Sequence, residues 1–493
     1  MINLSNNGTR MPVQAPEERT KNFNEVAEGF TEEMAVREAL RCLQCREHPC
    51  MTEGCPVSNH IPDFIRKITE GEYEEAYQIL METTVLPAVC GRVCPKYLQC
   101  EGNCVRGEKG RPVAIGALER FVADLHRRRV LAGEIEETVA LQTAGDGQKE
   151  EEAATGKPAE AAATEKSAEA AAGKKVAVIG SGPAGLACAK DLASAGYAVT
   201  VFDREGVPGG VLSYGIPAFR LPDEVLAFEV DSLAAAGVTF EAGKELGKNI
   251  SIDSLMGDMG YSAVFLGNGA GAPMGLGIPG TELSGVVSAA DFLSRLNAAG
   301  ADEEALKQVL PDPATIAIIG GGNVAMDACR SAVRIPGAEK VQVVYRRSVK
   351  EMPADPAELA EAMEEGVEFI YLTAPLEVLG EDGKVTGLKC QRMELSEPDA
   401  SGRRRPVPVE GSEYVLPVSA VIEAIGSRSE NAGVDGVDVS SDRGLVIADP
   451  ETLATSRPGV YAGGDTVTGP KTVIAAMGAG RKAARAIDRY LKQ

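Results

Sequence analysis

Runs of five mostly apolar residues, each closed by glycine, punctuate the chain after residue 174. Lys175-Val-Ala-Val-Ile-Gly and Thr315-Ile-Ala-Ile-Ile-Gly are the clearest, and each leads into a stretch with helical spacing of apolar positions. Short continuous apolar runs are the mark of strands buried on both faces, and their alternation with helices is that of an α/β fold with a parallel sheet. The isoleucines before the two first glycines lie 140 residues apart. That is too long for a solenoid repeat and suits two nucleotide-binding domains of similar build.

The first part of the chain is patterned differently. Residues 1 to about 30 are polar and carry Pro12 and Pro16, which predicts an extended arm. Helical patterns run from Thr31, with Glu32 and Glu33 in the first turn, to the first cysteines, and then over Ile61 to Ile68 and Tyr73 to Met81. Between Gly133 and Gly173 almost no large apolar residue occurs, so that segment reads as a flexible or partly helical linker. The resulting division is 1–132 for a helical cysteine-bearing domain, 133–173 for the linker, 174–285 and 427–493 for the two parts of the first dinucleotide domain, and 286–426 for the second.

Composition narrows the functional classes. With 493 residues, roughly three domains are expected at about 100–200 residues each. Fifty Lys and Arg stand against 72 Asp and Glu, a net charge of −22 that repels nucleic acid and anionic lipid. Neither a signal peptide nor an apolar run of about 20 residues is visible, so a cytoplasmic, reducing location is expected. Eight of the 11 cysteines fall between positions 42 and 104, which under reducing conditions favours metal ligation over disulfides. Cys188, Cys329 and Cys390 stand alone and read as buried structural thiols, Met352 and Met363 as packing residues, and His48, His60 and His126 as surface residues.

The glycine loops carry the candidate chemistry. Gly180-Ser181-Gly182-Pro183-Ala184-Gly185 follows a strand and precedes a helix over Leu186 to Ala195, a geometry that seats a pyrophosphate on free helical N–H groups. The next strand ends in Asp203, placed to bind a ribose hydroxyl. The second loop, Gly320-Gly321-Gly322-Asn323-Val324-Ala325, has Arg346 and Arg347 at the corresponding strand end. Guanidinium groups there suit a 2′-phosphate and favour NADP over NAD, the alternative being plain surface charge. In the cysteine block, Cys42-x2-Cys45-x4-Cys50-x4-Cys55-Pro56 precedes Cys90-x3-Cys94-Pro95-x4-Cys100-x3-Cys104. Two quartets of thiolates can hold two [4Fe-4S] clusters or two zinc ions, and the redox company of two dinucleotide folds favours iron–sulfur. No Cys-x-x-Cys lies in the second dinucleotide domain, which argues against a disulfide relay.

Longer stretches carry a family resemblance over nearly the whole chain apart from the linker. These are Cys90-Gly-Arg-Val-Cys-Pro, the run from Gly209 to Pro222, Tyr345-Arg-Arg-Ser with Glu351-Met-Pro-Ala, Tyr461-Ala-Gly-Gly-Asp, and Ala476-Met-Gly-Ala-Gly-Arg. The sequence resembles the small-subunit family of NADPH-dependent glutamate synthase. That family includes the large subunit of the electron-bifurcating NADH-dependent reduced ferredoxin:NADP oxidoreductase and is similar to the N-terminal half of dihydropyrimidine dehydrogenase. The resemblance implies an N-terminal α-helical double [4Fe-4S] domain followed by two Rossmann-like domains, for FAD and NAD(P)H, built like the pyridine nucleotide-disulfide oxidoreductases.

The resemblance also assigns positions. FAD would contact Gly180, Gly182, Pro183, Ala184, Gly185, Asp203, Gly210, Leu212 and Arg220, with Gly464, Asp465 at the ribityl chain, and Thr472 and Val473 opening a helix aimed at the flavin. NADPH would lie over Gly320, Gly322, Asn323, Val324, Arg346, Arg347 and Gly426. One cluster would take Cys42, Cys45, Cys50 and Cys104; the other would take Cys55, Cys94, Cys100 and Glu119, leaving Cys90 as a bystander, whereas spacing alone would choose Cys90. No acid–base catalytic residue is implied. The implied partner is a second redox subunit, either the glutamate synthase large subunit or a smaller flavin and [2Fe-2S] subunit, with ferredoxin and self-association left open. Gly107-Glu-Lys-Gly-Arg-Pro-Val-Ala-Ile-Gly is closer to the bifurcating branch. No cysteine nucleophile follows Met1, so ammonia release from glutamine is not expected of this chain.

Overall fold

The computed structural model describes residues 3, 5–136, 173–398, 404–429, 434, 436–441 and 444–493; most of the expected linker lies outside the described residues. In the N-terminal part Thr31 caps the helix Glu32–Ala39 by accepting the Met34 N–H. The helix Ile61–Glu70 buries Ile61, Phe64, Ile65 and Ile68, the i, i+3, i+4, i+7 stripe of an amphipathic helix, and stops at Gly71 in the left-handed region. Helices Tyr73–Met81, Pro87–Val93 and Ile115–Leu131 complete the bundle.

The arm before it is docked and not extended throughout, because Pro16–Arg19 form a helical turn. Val13 bridges Ala27, the Val26 N–H reaches the Phe219 carbonyl, and Arg19 is buried against Glu365. His126, expected at the surface, is instead 2% exposed, because its ring stacks on Tyr77 at 3.6 Å and its Nδ1 meets the Glu74 carboxylate.

Two parallel sheets follow. The first contains β1 (Lys175–Ile179), β2 (Ala198–Phe202), β3 (Thr239–Glu241), β4 (Ala263–Leu266) and the late strand β15 (Val460–Ala462), in the order β15-β4-β1-β2-β3. A short strand, β5 (Ala272–Pro273), leads out of it. The second sheet contains β6 (Val286–Ser288), β7 (Thr315–Ile319), β8 (Lys340–Val344), β9 (Glu368–Ile370) and β13 (Ala420–Glu423), in the order β6-β13-β7-β8-β9. The chain returns through β14 (Ser427–Arg428), which pairs antiparallel with β5, so the crossings between the two sheets form one ribbon.

A three-stranded antiparallel sheet, β10 (Thr373–Glu381), β11 (Lys384–Leu395) and β12 (Pro406–Leu416), is an addition that the α/β reading did not anticipate. Its inner face packs Val378, Val385, Leu388 and Cys390 against Ala317 and Val421 of the second sheet. Cys188, Cys329 and Cys390 are buried as expected, while Met363 is 46% exposed and does not serve as a packing residue.

One continuous apolar core joins the helical part to the first sheet, running from Phe64 and Leu80 through Val89 and Leu118 to Leu186 and Met477. No helix among the described residues is long and apolar enough to cross a membrane.

Candidate functional site

The first glycine loop leaves β1 with Gly180 at φ +92°, where a Cβ would lie 2.4 Å from the Gly267 carbonyl oxygen. A Cβ on Gly185 would lie 1.9 Å from the Gly180 oxygen, so the loop closes onto the helix Pro183–Ser194 only because both positions lack side chains. That helix starts at Gly182 with no side-chain cap, and nothing lies within 4 Å of a Cβ placed on Gly182. Free N–H groups and open space together fit a pyrophosphate.

Asp203 stands at the end of β2, next to this loop. Its carboxylate accepts the Ser181 N–H at 2.6 Å and the Glu205 N–H at 2.8 Å, while Ser181 Oγ accepts from Gly209. The acid thus orders two glycine-containing loops at once. Gly210 caps the short helix Val211–Tyr214, in which Leu212 is buried. Arg220 is committed elsewhere, to Asp327 at 2.6 Å and Glu358 at 2.9 Å across the boundary with the second sheet.

The late segment closes the same site. Gly464 precedes Asp465, which accepts the Lys471 N–H at 3.0 Å and whose carboxyl burial pushes up to about 6. Thr472 caps the helix Val473–Leu491 by accepting the Ala475 N–H, and it also receives Gln99 Nε2 at 3.4 Å from the helical domain. Further along, a Cβ on Gly478 would touch Val57 at 3.1 Å, and Met477 Sδ receives Cys90 Sγ at 3.7 Å. The helix that opens at the first dinucleotide site therefore runs directly beneath the cysteine segments.

At the second loop a Cβ on Gly320 would lie 2.2 Å from the Ala424 oxygen, and Gly322 starts the helix Asn323–Ala332 without a side-chain cap. Asn323 Oδ1 accepts the Asp355 N–H at 2.8 Å, Val324 is half exposed, and Gly426 sits at φ +113° beside the connecting ribbon. Arg346 is exposed; Arg347 is partly covered, and its Nε is buried without a partner. An orphaned guanidinium donor is costly unless an anion meets it, as a 2′-phosphate would.

The cysteines fall into two groups. Cys42, Cys45, Cys50 and Cys104 line one pocket, with Ile61, Ile65 and Ile115 among its walls. Burial first, then the mutual repulsion of Cys42, Cys45 and Cys104, pushes the Cys50 thiol up to about 12. Cys55, Cys94, Cys100 and Glu119 lie within electrostatic reach of one another. Burial pushes the Glu119 carboxyl up to about 8, offset in part by Lys96, and it accepts no hydrogen bond among the described residues. Thiols and a carboxylate held in this way need a nearby positive charge to ionise, and the iron of a cluster supplies it.

Cys90 also approaches Cys94, yet its thiol already meets Thr84 and Met477. No set of three or more His, Cys, Asp or Glu converges on a single-ion position among the described residues. The sequence reading missed Gln99, Lys96 and Glu229. The last of these is buried, accepts the Ala88 N–H at 2.7 Å, and so caps the helix Pro87–Val93 from the neighbouring domain. Its isolated position on a helix carries no sequence signal.

Comparison with known proteins agrees with this layout. Residues 19–130 match the family described as dihydropyrimidine dehydrogenase domain II, 4Fe-4S cluster, and residues 174–480 match the pyridine nucleotide-disulphide oxidoreductases. The glutamate synthase [NADPH] small chain of Escherichia coli is 37% identical over 96% of this chain and 95% of its own length; that of Azospirillum brasilense is 36% identical over 100% and 96%. The beta subunit of an NADP(+)-dependent formate dehydrogenase from Moorella thermoacetica is 42% identical over 90% of this chain, which spans 60% of that subunit. In fold, FprA of Mycobacterium tuberculosis in complex with NADPH aligns with a TM-score of 0.54 at 22% identity, over 64% of this chain and 84% of that one. The chain belongs to the pyridine nucleotide-disulphide oxidoreductase family, in the iron–sulfur-bearing group of the glutamate synthase small chains.

Proposed function

We propose that this flavin- and iron–sulfur-dependent oxidoreductase moves electrons between NADPH and a partner subunit. The two glycine loops would hold FAD and NADPH, and the two cysteine groups would hold two [4Fe-4S] clusters with the ligands Cys42, Cys45, Cys50 and Cys104, and Cys55, Cys94, Cys100 and Glu119. FAD exchanges a hydride with nicotinamide, and iron–sulfur clusters carry electrons singly.

The chain's own residues position and exclude. Asp203 holds the loop, Asp465 and Thr472 order the end of the helix Val473–Leu491, and the shared core keeps water from the interval between loop and cysteines. The observation that carries this reading is the seat of Val57, Cys90 and Gln99 on that one helix, which brings the Cys55 group to the first dinucleotide site. In this reading residues 1–132, 174–285 with 427–493, and 286–426 are the three domains, working in the cytoplasm.

The acceptor favoured by the coverage of relatives is a glutamate synthase large subunit, which reduces 2-iminoglutarate. The segment Gly107 to Gly116 supports the second reading, a smaller flavin and [2Fe-2S] partner in ferredoxin:NADP bifurcation. The test is the absorption spectrum of anaerobically purified protein, with iron and flavin quantified, before and after NADPH. Flavin bands over a broad iron–sulfur shoulder, both bleaching, are expected. A colourless zinc protein that reconstitutes with neither iron nor FAD would overturn the reading. Glutamate formation that depends on 2-oxoglutarate and the large subunit, against ferredoxin- and NAD-linked NADPH consumption, separates the two partners.

A further inference from the structure

The turn that bears Arg346 and Arg347 is not built by the second sheet alone. The Arg347 carbonyl accepts the Leu372 N–H at 3.1 Å, and the Leu372 carbonyl accepts the Met393 N–H at 2.8 Å. This ladder seats the β11–β12 hairpin against the turn. Arg404, just before β12, donates from Nε to the Ser396 carbonyl at 2.9 Å and from Nη2 to the Leu395 carbonyl at 3.5 Å. Those bonds fix the plane of the guanidinium and leave Nη1 without a partner among the described residues.

Ser348 Oγ donates to the Glu351 carboxylate at 2.5 Å, and this bond, with the positive charge of Arg404 as a smaller contribution, holds that carboxyl below its usual range. Arg404 is therefore within electrostatic reach of the Arg346–Ser348 turn. In a chain of net charge −22, the hairpin thus brings a further positive charge to the side of the turn that carries Arg346 and Arg347, where Arg347 buries an unpartnered Nε. The Glu351 carboxylate, already held by Ser348, answers only part of that positive charge, and a phosphate would answer the rest.

We propose that Arg404 is a third cation of the subsite for the cofactor's 2′-phosphate, supplied by the β11–β12 hairpin. The inference rests on the NADPH reading above and adds a specificity residue to it. The test uses the holoenzyme with ferricyanide as electron acceptor and compares NADPH with NADH as donors. For Arg404→Ala, the ratio of kcat/KM for NADPH over NADH falls about tenfold, as loss of one charge-assisted phosphate contact requires. Binding of 2′,5′-ADP weakens to a similar degree, and Arg404→Lys recovers part of both.

An equal change for both donors, or none, overturns the proposal if Arg346→Ala/Arg347→Ala still abolishes the NADPH preference. If that double variant also leaves the preference unaltered, the 2′-phosphate reading of the whole turn falls with it.

Discussion

Two side chains compete to complete the group of Cys55, Cys94 and Cys100. Cys90 is fully buried and its sulfur has neighbours in Thr84 and Met477, so leaving it a thiol costs nothing. Glu119 is buried with no hydrogen bond among the described residues; burial opposes its ionisation, raising the carboxyl to about 8, and metal ligation would relieve that cost. Glu119→Ala is therefore expected to remove about half of the bound iron and the electron paramagnetic resonance signal of one reduced cluster. Cys90→Ala is expected to keep both. The reverse pattern would make Cys90 the ligand and Glu119 a buried acid of the interface.

At the scale of elements, the decisive contact is between the helices Pro183–Ser194 and Val473–Leu491. A Cβ on Gly480 would lie 2.0 Å from the Ala184 oxygen and 3.1 Å from the Cys188 nitrogen, so the helices meet backbone to backbone beside the first glycine loop. Gly480→Ala must push them apart, at a cost of about 1–3 kcal/mol for overpacking. The expected result is a lower thermal midpoint and a reduced flavin-to-protein ratio after gel filtration, and full flavin retention would show that the crossing does not shape the site.

The β10–β12 sheet belongs to the same scale. β11 alternates exposed and buried positions, a strand signal of period two, but it lacks the continuous apolar run by which the parallel strands announce themselves.

For the whole molecule, the parts are locked by a buried ion network. Glu365 meets Arg19 at 2.8 Å, Arg330 at 2.8 Å and Arg334 at 2.9 Å, while the Phe219 ring lies under Arg330 and Arg334 at 4.9 and 4.2 Å. Arg220 extends it to Asp327 and Glu358. The N-terminal arm, the connection between β2 and β3 and the second sheet's helices thus share one cluster of charge. Burial alone would raise the Glu365 carboxyl, but the hydrogen bonds and charges of Arg330 and Arg334 hold it down to about 2.

Glu365→Gln leaves three buried guanidiniums undercompensated, which should destabilise the fold by about 3–5 kcal/mol. Differential scanning calorimetry with limited tryptic digestion checks this: a lower midpoint and early cleavage in residues 1–30 are expected, and an unchanged digestion pattern would mean that the arm is held by other contacts.

Features that neighbours along the chain specify are fixed before any tertiary contact forms. Both glycine loops, the strands before them, the helices after them and the capped helices of the N-terminal part were legible, because a tight turn or a helix start is specified within a few residues. Tertiary structure decided how distant groups met. It gathered Cys104 with Cys42, Cys45 and Cys50, set Glu119 within reach of Cys55 and Cys100, took Arg220 to Asp327, and buried Arg19 on Glu365. Buried charges and thiols are held by whatever partner the packing brings within reach, and those partners here lie as much as 387 residues away along the chain.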